Sequence, residues 1–393
     1  MLEKTLLDRE LRLIKVGSIR VTYWTGETIT YGTGEEYAHL TIHKAKIVRA
    51  LARNITLGFG EAYMNGDLDF EGDLAKIGKL ATDNKRAMGS LMKLRPFFSR
   101  KLKTNDKKHQ AKQIQHHYDL GNAFYKMWLD ETMTYSCAYF KKPTDSLEQA
   151  QAQKLDHVLK KLQLKSGMTL LDIGSGWGQL LIKAAQDYGV TGHGITLSEE
   201  QFKLSTAKIK KLGLADKIKI ELINYQDLAK RDMVFDRIVS VGMFEHVGRG
   251  NHSDYFRCVD KMLKPGGITV LHTITNQVDE ASDPWIDKYI FPGGFLPSIG
   301  LVTRIYPQYE WQLLDYENLR LHYAMTLQEW RERYEGNKDK VVDLYGEKFY
   351  RMWNLYLAGS ESGFRWGDLG LSQFVFSKGV NNDLPLTREH LYK

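Results

Sequence analysis

The sequence predicts an α/β fold, a doubly wound parallel sheet preceded by a smaller N-terminal α+β domain. Three observations carry that expectation. Short β-branched or aliphatic runs alternate with helical stretches from residue 169 onward, the first run ends in a glycine-rich turn, and 393 residues are too many for one ordinary domain.

Residues 1–92 read as the smaller domain: an amphipathic opening, a strand-like VTYWTGETITYG, a helical IHKAKIVRALARNI and the glycine-punctuated LGFGEAYMNGDLDFEGD. Residues 93–112 form a basic connector in which Lys93, Arg95, Arg100, Lys101, Lys103, Lys107, Lys108 and Lys112 are interrupted by Pro96, Phe97 and Phe98. Such a run is a solvated linker or a patch for anionic lipid, where each basic residue contributes about 1 kcal/mol, and the two readings are compatible. Residues 113–393 then hold the alternation: TLLDIG, WGQLLIKAAQDYG, VTGHGIT, EEQFKLSTAKIKKLG, KIKIEL, FDRIVSVG and ITVLHTI. Strands separated by helices run parallel.

Composition narrows the class. Hydrophobic residues at 42% and charged ones at 26% are the balance of a folded globular chain. With Cys137 and Cys258 as the only cysteines, a disulfide framework or structural zinc is not expected. The opening MLEKTLLDRELRLIK carries charges where a signal peptide needs an apolar stretch, which places the expectation in the cytoplasm. Lys plus Arg outnumber Asp plus Glu by 55 to 48, a net charge of +7 that favours anionic surfaces, nucleic acid and acidic lipid alike.

The sharpest motif is LLDIGSGWG, a buried strand running into a turn with Gly174, Gly176, Trp177 and Gly178 and then a helix. Glycines there let a ligand approach the backbone, although such turns also occur for structural reasons alone. Gln179 stands where a dinucleotide fingerprint needs glycine or alanine, which disfavours NAD. Asp172 inside the strand and the later Asn224, Tyr225, Gln226 and Asp227 offer partners for an adenosine. The second strand ends without the usual ribose carboxylate. Thr196, Ser198, Glu199, Glu200 and Gln201 enter a helix there and would supply polar partners instead.

Together with VGMFEHVG (241–248), GITLSEEQ and YSCAYF, these segments resemble the cyclopropane-fatty-acyl-phospholipid synthases. QHHYDLGNAFYKMWLD (115–130), DPWIDKYIFPGG (283–294), HYAMTLQEW (322–330) and GFGEAYMNGDLD near the front match as well, so the resemblance runs through most of the chain. It implies a Rossmann-like class I methyltransferase domain that transfers the methyl of S-adenosylmethionine to the cis double bond of an unsaturated phospholipid and closes a ring. By the same resemblance, Tyr135, Ser136, Gly174, Gly176, Thr196, Gln201, Tyr225 and Gln226 would bind that cofactor. The family also holds bicarbonate beside the transferred methyl, which implies roles for Cys137, Glu245, His272, Ile274 and Tyr323, with Cys137 and Ile274 acting through backbone groups. His116 and His117 precede a segment that would close as a lid. A homodimer, peripheral on the inner face of the cell membrane and docked through residues 1–92, completes the expectation. Nucleic acid is not an expected partner, because no Asn/Asp-Pro-Pro-Tyr/Phe motif follows the fourth strand. One departure stands out: Ser360 occupies a position where many members have cysteine, so a thiol there is not essential if the activity is shared.

The chemistry asks for such a site. An alkene is a weak nucleophile, and its methylation leaves a cation on the acyl chain, so the pocket must be dry and lined by aromatic faces. Tyr118, Phe124, Trp128, Tyr135, Tyr139 and Phe244 are candidates for that lining, or ordinary core. Glu245 follows the fourth strand and His272 ends the fifth, where α/β sheets gather ligands. A surface ion pair and a satisfied histidine are the plainer alternatives.

Overall fold

Four short strands, β1 (Gly17–Thr22), β2 (Thr28–Thr33), β3 (Glu36–Ile42) and β4 (Leu68–Glu71), form one sheet in the order β2-β1-β3-β4. The computed structural model describes residues 2–85, 120–248, 250–279 and 282–392. The basic connector and His116 and His117, expected to precede a lid, lie outside them. VTYWTGETITYG supplies most of the β1–β2 hairpin, closed by the Tyr23 amide donating to the Glu27 carbonyl (2.8 Å). Its inward residues Ile19, Val21, Tyr23 and Tyr31 pack with Leu68 and Leu80 in one core.

Two local expectations are corrected. IHKAKIVRALARNI is not one helix: Ile42 ends β3, and a short helix, Ile47–Arg53, stops at Asn54. The Asn54 side chain accepts the Leu57 amide and starts the next helix, Ile55–Met64, so a capping residue interrupts the apolar period. Gly58 and Gly60 lie within that helix rather than in turns. A Cβ on Gly58 would fall 2.6 Å from the Ala50 carbonyl carbon, and one on Gly60 would fall 2.3 Å from the Trp285 ring. Close packing, not turning, requires glycine there.

The chain divides into two compact units, and residues 283–290 and 327–368 group with the N-terminal one. Lys288 Nζ and Tyr289 Oη both donate to Glu61 (2.6 and 2.8 Å), Arg351 donates to Asp69 (2.7 Å), and Ala358 belongs to the same core as Val21.

The second unit carries a seven-stranded sheet of β5 (Thr169–Ile173), β6 (Thr191–Thr196), β7 (Ile218–Leu222), β8 (Phe235–Val241), β9 (Leu263–Thr275), β10 (Trp311–Asn318) and β11 (Gly370–Lys378). Their order is β10-β11-β9-β8-β5-β6-β7. The five strands from β5 to β9 are parallel and coincide with the apolar runs read from sequence, while β10 and β11 add an antiparallel edge. This is the doubly wound, Rossmann-like sheet. The chain leaves β5 for β6 and β7 on one side and returns to β8 on the other. A crevice therefore opens beyond the carboxyl ends of β5 and β8. Helix Leu147–Lys161 precedes β5, begun by a reciprocal cap between Ser146 and Gln149. Among the described residues no helix is long and apolar enough to cross a membrane.

Candidate active site

The glycine turn forms one wall of the crevice. Gly174 and Ser175 both donate their amides to the Ile195 carbonyl (3.0 and 2.9 Å), which ties the turn to β6. Gly176 has a φ of +54° and lines the cleft, and a Cβ there would meet nothing within 4 Å. Gly178 serves packing, since a Cβ would fall 3.3 Å from that of Ser205. Trp177 donates through Nε1 to Asn122 Oδ1 (2.8 Å), and Asn122 donates to Glu200 Oε2 (3.1 Å). The rings of Tyr125, Trp128, Tyr135 and Trp177 lie 5.2–5.6 Å apart in sequence of contact, so the segment carrying Tyr125 and Trp128 folds onto the turn.

At the end of β6 the polar residues make one rigid corner. The Ser198 amide donates to Thr196 Oγ1 (3.1 Å), that hydroxyl donates to Gln201 Oε1 (2.8 Å), and Ser198 Oγ caps the helix by accepting the Gln201 amide. Thr196 and Gln201 line the cleft, whereas Ser198 stands behind them as the cap. After β7, Tyr225 reaches the cleft with its hydroxyl buried and without a hydrogen-bond partner, and burial raises its pKa so that the phenol stays neutral. Gln226 Oε1 is likewise buried without a partner. Gln226 is not among the residues lining the cleft; the orphaned Tyr225 hydroxyl and a backbone wall open at Gly176 fit an adenosyl ligand.

A lysine that sequence reasoning missed stands on the opposite wall. Lys154, 2% exposed, donates to Ser136 Oγ (3.0 Å) and lines the cleft with Tyr135, Ser136 and Asp172. Burial raises the Asp172 carboxyl, with Lys154 pulling it back, and burial lowers the Lys154 ammonium against the attraction of Asp130. Its only sequence signal is a position in LEQAQAQKLDHVLKK, a helix that reads as having a solvated polar face.

The five residues assigned to the anion fall into two groups. Glu245 Oε1 accepts the Ile274 amide (2.6 Å), and the Gly242 amide donates to the His272 carbonyl (2.9 Å), which joins the loop after β8 to the end of β9. Glu245 Oε2 and His272 Nε2 are both buried and lack partners. Burial pushes the Glu245 carboxyl up to about 7 against nearby backbone amides, and holds the His272 imidazole well below its usual range. The Ile274 amide is engaged with Glu245 and so anchors that carboxyl. The segments that carry Cys137 and Tyr323 are joined by a different contact, the Ala138 amide donating to Thr326 Oγ1 (3.0 Å), one turn beyond Tyr323 on the same helix. The Cys137 thiol is buried, its pKa is raised by that burial, and its S–H donates to the Ala138 carbonyl (3.1 Å). None of the five is among the residues lining the glycine-turn cleft.

A doubly wound sheet with this glycine turn and polar corner defines the class of S-adenosylmethionine-dependent methyltransferases. Residues 105–374 match the family described as mycolic acid cyclopropane synthetase, and residues 6–92 match a domain of unknown function. The chain belongs to the mycolic acid cyclopropane synthetase family. A cyclopropane-fatty-acyl-phospholipid synthase of Escherichia coli is 39% identical over 363 residues, 90% of this chain and 92% of its own. A probable fatty acid methyltransferase of Pseudomonas putida is 37% identical over 384 residues, 95% of this chain and 96% of its own. A crystal structure of a mycolic acid cyclopropane synthase complexed with SAH and CTAB superposes with a TM-score of 0.64 at 34% identity, covering 68% of this chain and 98% of that one.

Proposed function

We propose that the chain methylates the cis double bond of an unsaturated phospholipid acyl chain and closes a cyclopropane ring, with bicarbonate removing the proton. The observation that carries this reading is the presence of two complementary orphans, Glu245 Oε2 and His272 Nε2, at the carboxyl ends of adjacent strands. A small oxyacid, which both accepts and donates hydrogen bonds, fits them. S-adenosylmethionine supplies, when bound, a methyl group activated by its sulfonium.

The residues of the chain then have distinct tasks. Gly174 and Gly176 bring backbone to the cofactor, Thr196 and Gln201 hold the ribose, and Tyr225, Gln226, Tyr135, Ser136 and Asp172 hold the rest. Glu245, near 7, carries a proton over part of the neutral range and so tolerates an anion beside it. Cys137 contributes backbone groups, because its neutral, engaged thiol is a poor nucleophile. Tyr323 orients the anion, and Phe244, buried against Tyr255 and His252, helps to keep water out. The substrate is reached by docking of residues 1–92 and the connector on anionic lipid at the cytoplasmic face, as a homodimer whose two weak contacts add avidity.

The test is direct. Purified protein with S-adenosylmethionine and unsaturated phospholipid vesicles should yield cyclopropane fatty acids, at a rate that falls in carbonate-depleted buffer. Absence of a ring product sinks the reading. The Pseudomonas putida relative is named a probable fatty acid methyltransferase, and methyl addition without ring closure is the alternative reading. Proton loss from the same cation without ring closure would leave a branched alkene of the same mass as the cyclopropane, which proton NMR distinguishes by its vinylic hydrogens. Vesicle binding that fails to weaken as salt rises would remove the basic connector from the docking mechanism.

A further inference from the structure

Behind His272 lies a chain of buried polar contacts that the proposed chemistry does not use. Lys161, on the last turn of helix Leu147–Lys161, donates through Nζ to Glu317 Oε2 (2.5 Å) and to Gln373 Oε1 (2.6 Å). His157, one turn earlier, meets the same Glu317 oxygen at 2.6 Å. Gln373 is fully buried on β11, directly opposite His272 on β9, and its Nε2 lies 3.0 Å from His272 Nδ1. Burial alone would raise the Glu317 carboxyl, but the His157 hydrogen bond and the Lys161 charge hold it down at about 2. A carboxylate therefore faces the Lys161 ammonium.

Each link has only one chemically allowed direction. An ammonium donates and does not accept, so the Gln373 carboxamide must turn its oxygen to Lys161 and its NH₂ to His272. An amide NH₂ likewise only donates, so His272 Nδ1 must accept and cannot carry the ring proton. The ring is 1% exposed and neutral, which leaves its proton on Nε2, the atom that has no partner. We infer that Lys161 and Gln373 are positioning residues that fix His272 as its Nε2–H tautomer, presenting a buried N–H donor to a small oxyanion. The identity of that acceptor rests on the bicarbonate reading above; the tautomer does not.

The test uses full-length protein with ¹⁵N-labelled histidine. Long-range ¹⁵N–¹H correlation spectra separate the two tautomers, and the His272 signals are those lost in His272→Gln. The wild type should show Nε2–H, and an Nδ1–H ring overturns the proposal. Gln373→Glu sets an acceptor against Nδ1 and should move the proton there, lowering kcat at least tenfold while the donor KM stays within twofold. Proton movement without loss of turnover refutes the positioning role. If Gln373→Glu does not fold, the pair Lys161→Met and Lys161→Arg decides: Met should mix the tautomers and slow turnover, and Arg should restore both, whereas equal behaviour of the two variants overturns the inference. The bicarbonate reading is judged separately. His272→Gln should raise the bicarbonate concentration needed for half-maximal rate, and a failure there leaves the tautomer result standing.

Discussion

The amide of Ile274 donates to Oε1 of Glu245 at 2.6 Å, so the carboxyl is held by one oxygen while the other is buried without a hydrogen-bond partner. Gln in place of Glu245 keeps the shape and the oxygen that accepts this bond, yet cannot exchange a proton. Glu245→Gln should therefore lower kcat by about 100-fold, within the range for loss of acid–base assistance. Donor affinity, measured by calorimetry, should change less than about twofold. Tyr323→Phe should act in the same direction, and normal turnover in both variants would refute the site.

Glu245 also makes stability depend on pH. Its carboxyl is raised from 4.5 to about 7, so the folded state binds the proton more tightly than the unfolded chain does. The associated stability is present below the unfolded value and disappears as pH rises through 7. Denaturant titrations should show Glu245→Gln gaining on the wild type from pH 5 to pH 9. The gain should approach about 3 kcal/mol at the alkaline end. A difference that stays flat across this range would contradict the buried, neutral carboxyl.

Two glycines of one turn should fail in different ways. Gly176→Ala places a methyl in open cleft at a left-handed φ, which costs about 1–2 kcal/mol and leaves the fold in place. Its main effect should be loss of donor binding. Gly174→Ala drives a Cβ to 2.9 Å from that of Met243 at φ +86°, so unfolding should dominate, by about 3 kcal/mol. Thermal melts read beside binding isotherms distinguish the two.

Lys154→Met removes the cation that restrains Asp172. Asp172 should then protonate at higher pH, and affinity for a positively charged donor should fall by about tenfold at neutral pH. Stability should fall as well, because the change leaves the buried Asp172 without the cation that offsets its charge. Unaltered donor affinity would place Lys154 outside the binding machinery.

The parallel core of the second unit was legible because its strands are apolar on both faces and its turns need glycine. β10 was not, since WQLLDYEN mixes charges into an edge strand with one partly wet face. The polar residues Gln151, Lys154, His157 and Lys161 recur at helical spacing, a pattern that marks a face but does not say what lies against it. Here that face is buried, and it carries both Lys154 and the Lys161 contact to Gln373. Glu245 and His272 were legible as strand-end residues, whereas the engagement of the Ile274 amide depends on a loop path that no local pattern encodes. The helical character of LGFGEAYM was hidden by two glycines, Gly58 packed on the Ala50 backbone and Gly60 on the Trp285 ring, more than two hundred residues away.

The three visits that the chain makes to its N-terminal unit bear on any attempt to dissect it. A protein begun after the basic connector would keep the helices of 327–368 but lose the hairpin and helices against which Leu355, Ala358 and Trp366 pack. Such a fragment would expose fresh apolar surface and tend to aggregate, so loss of activity after truncation would say nothing about lipid docking. Point changes on the outer face of the intact chain are the informative way to ask what that unit is for.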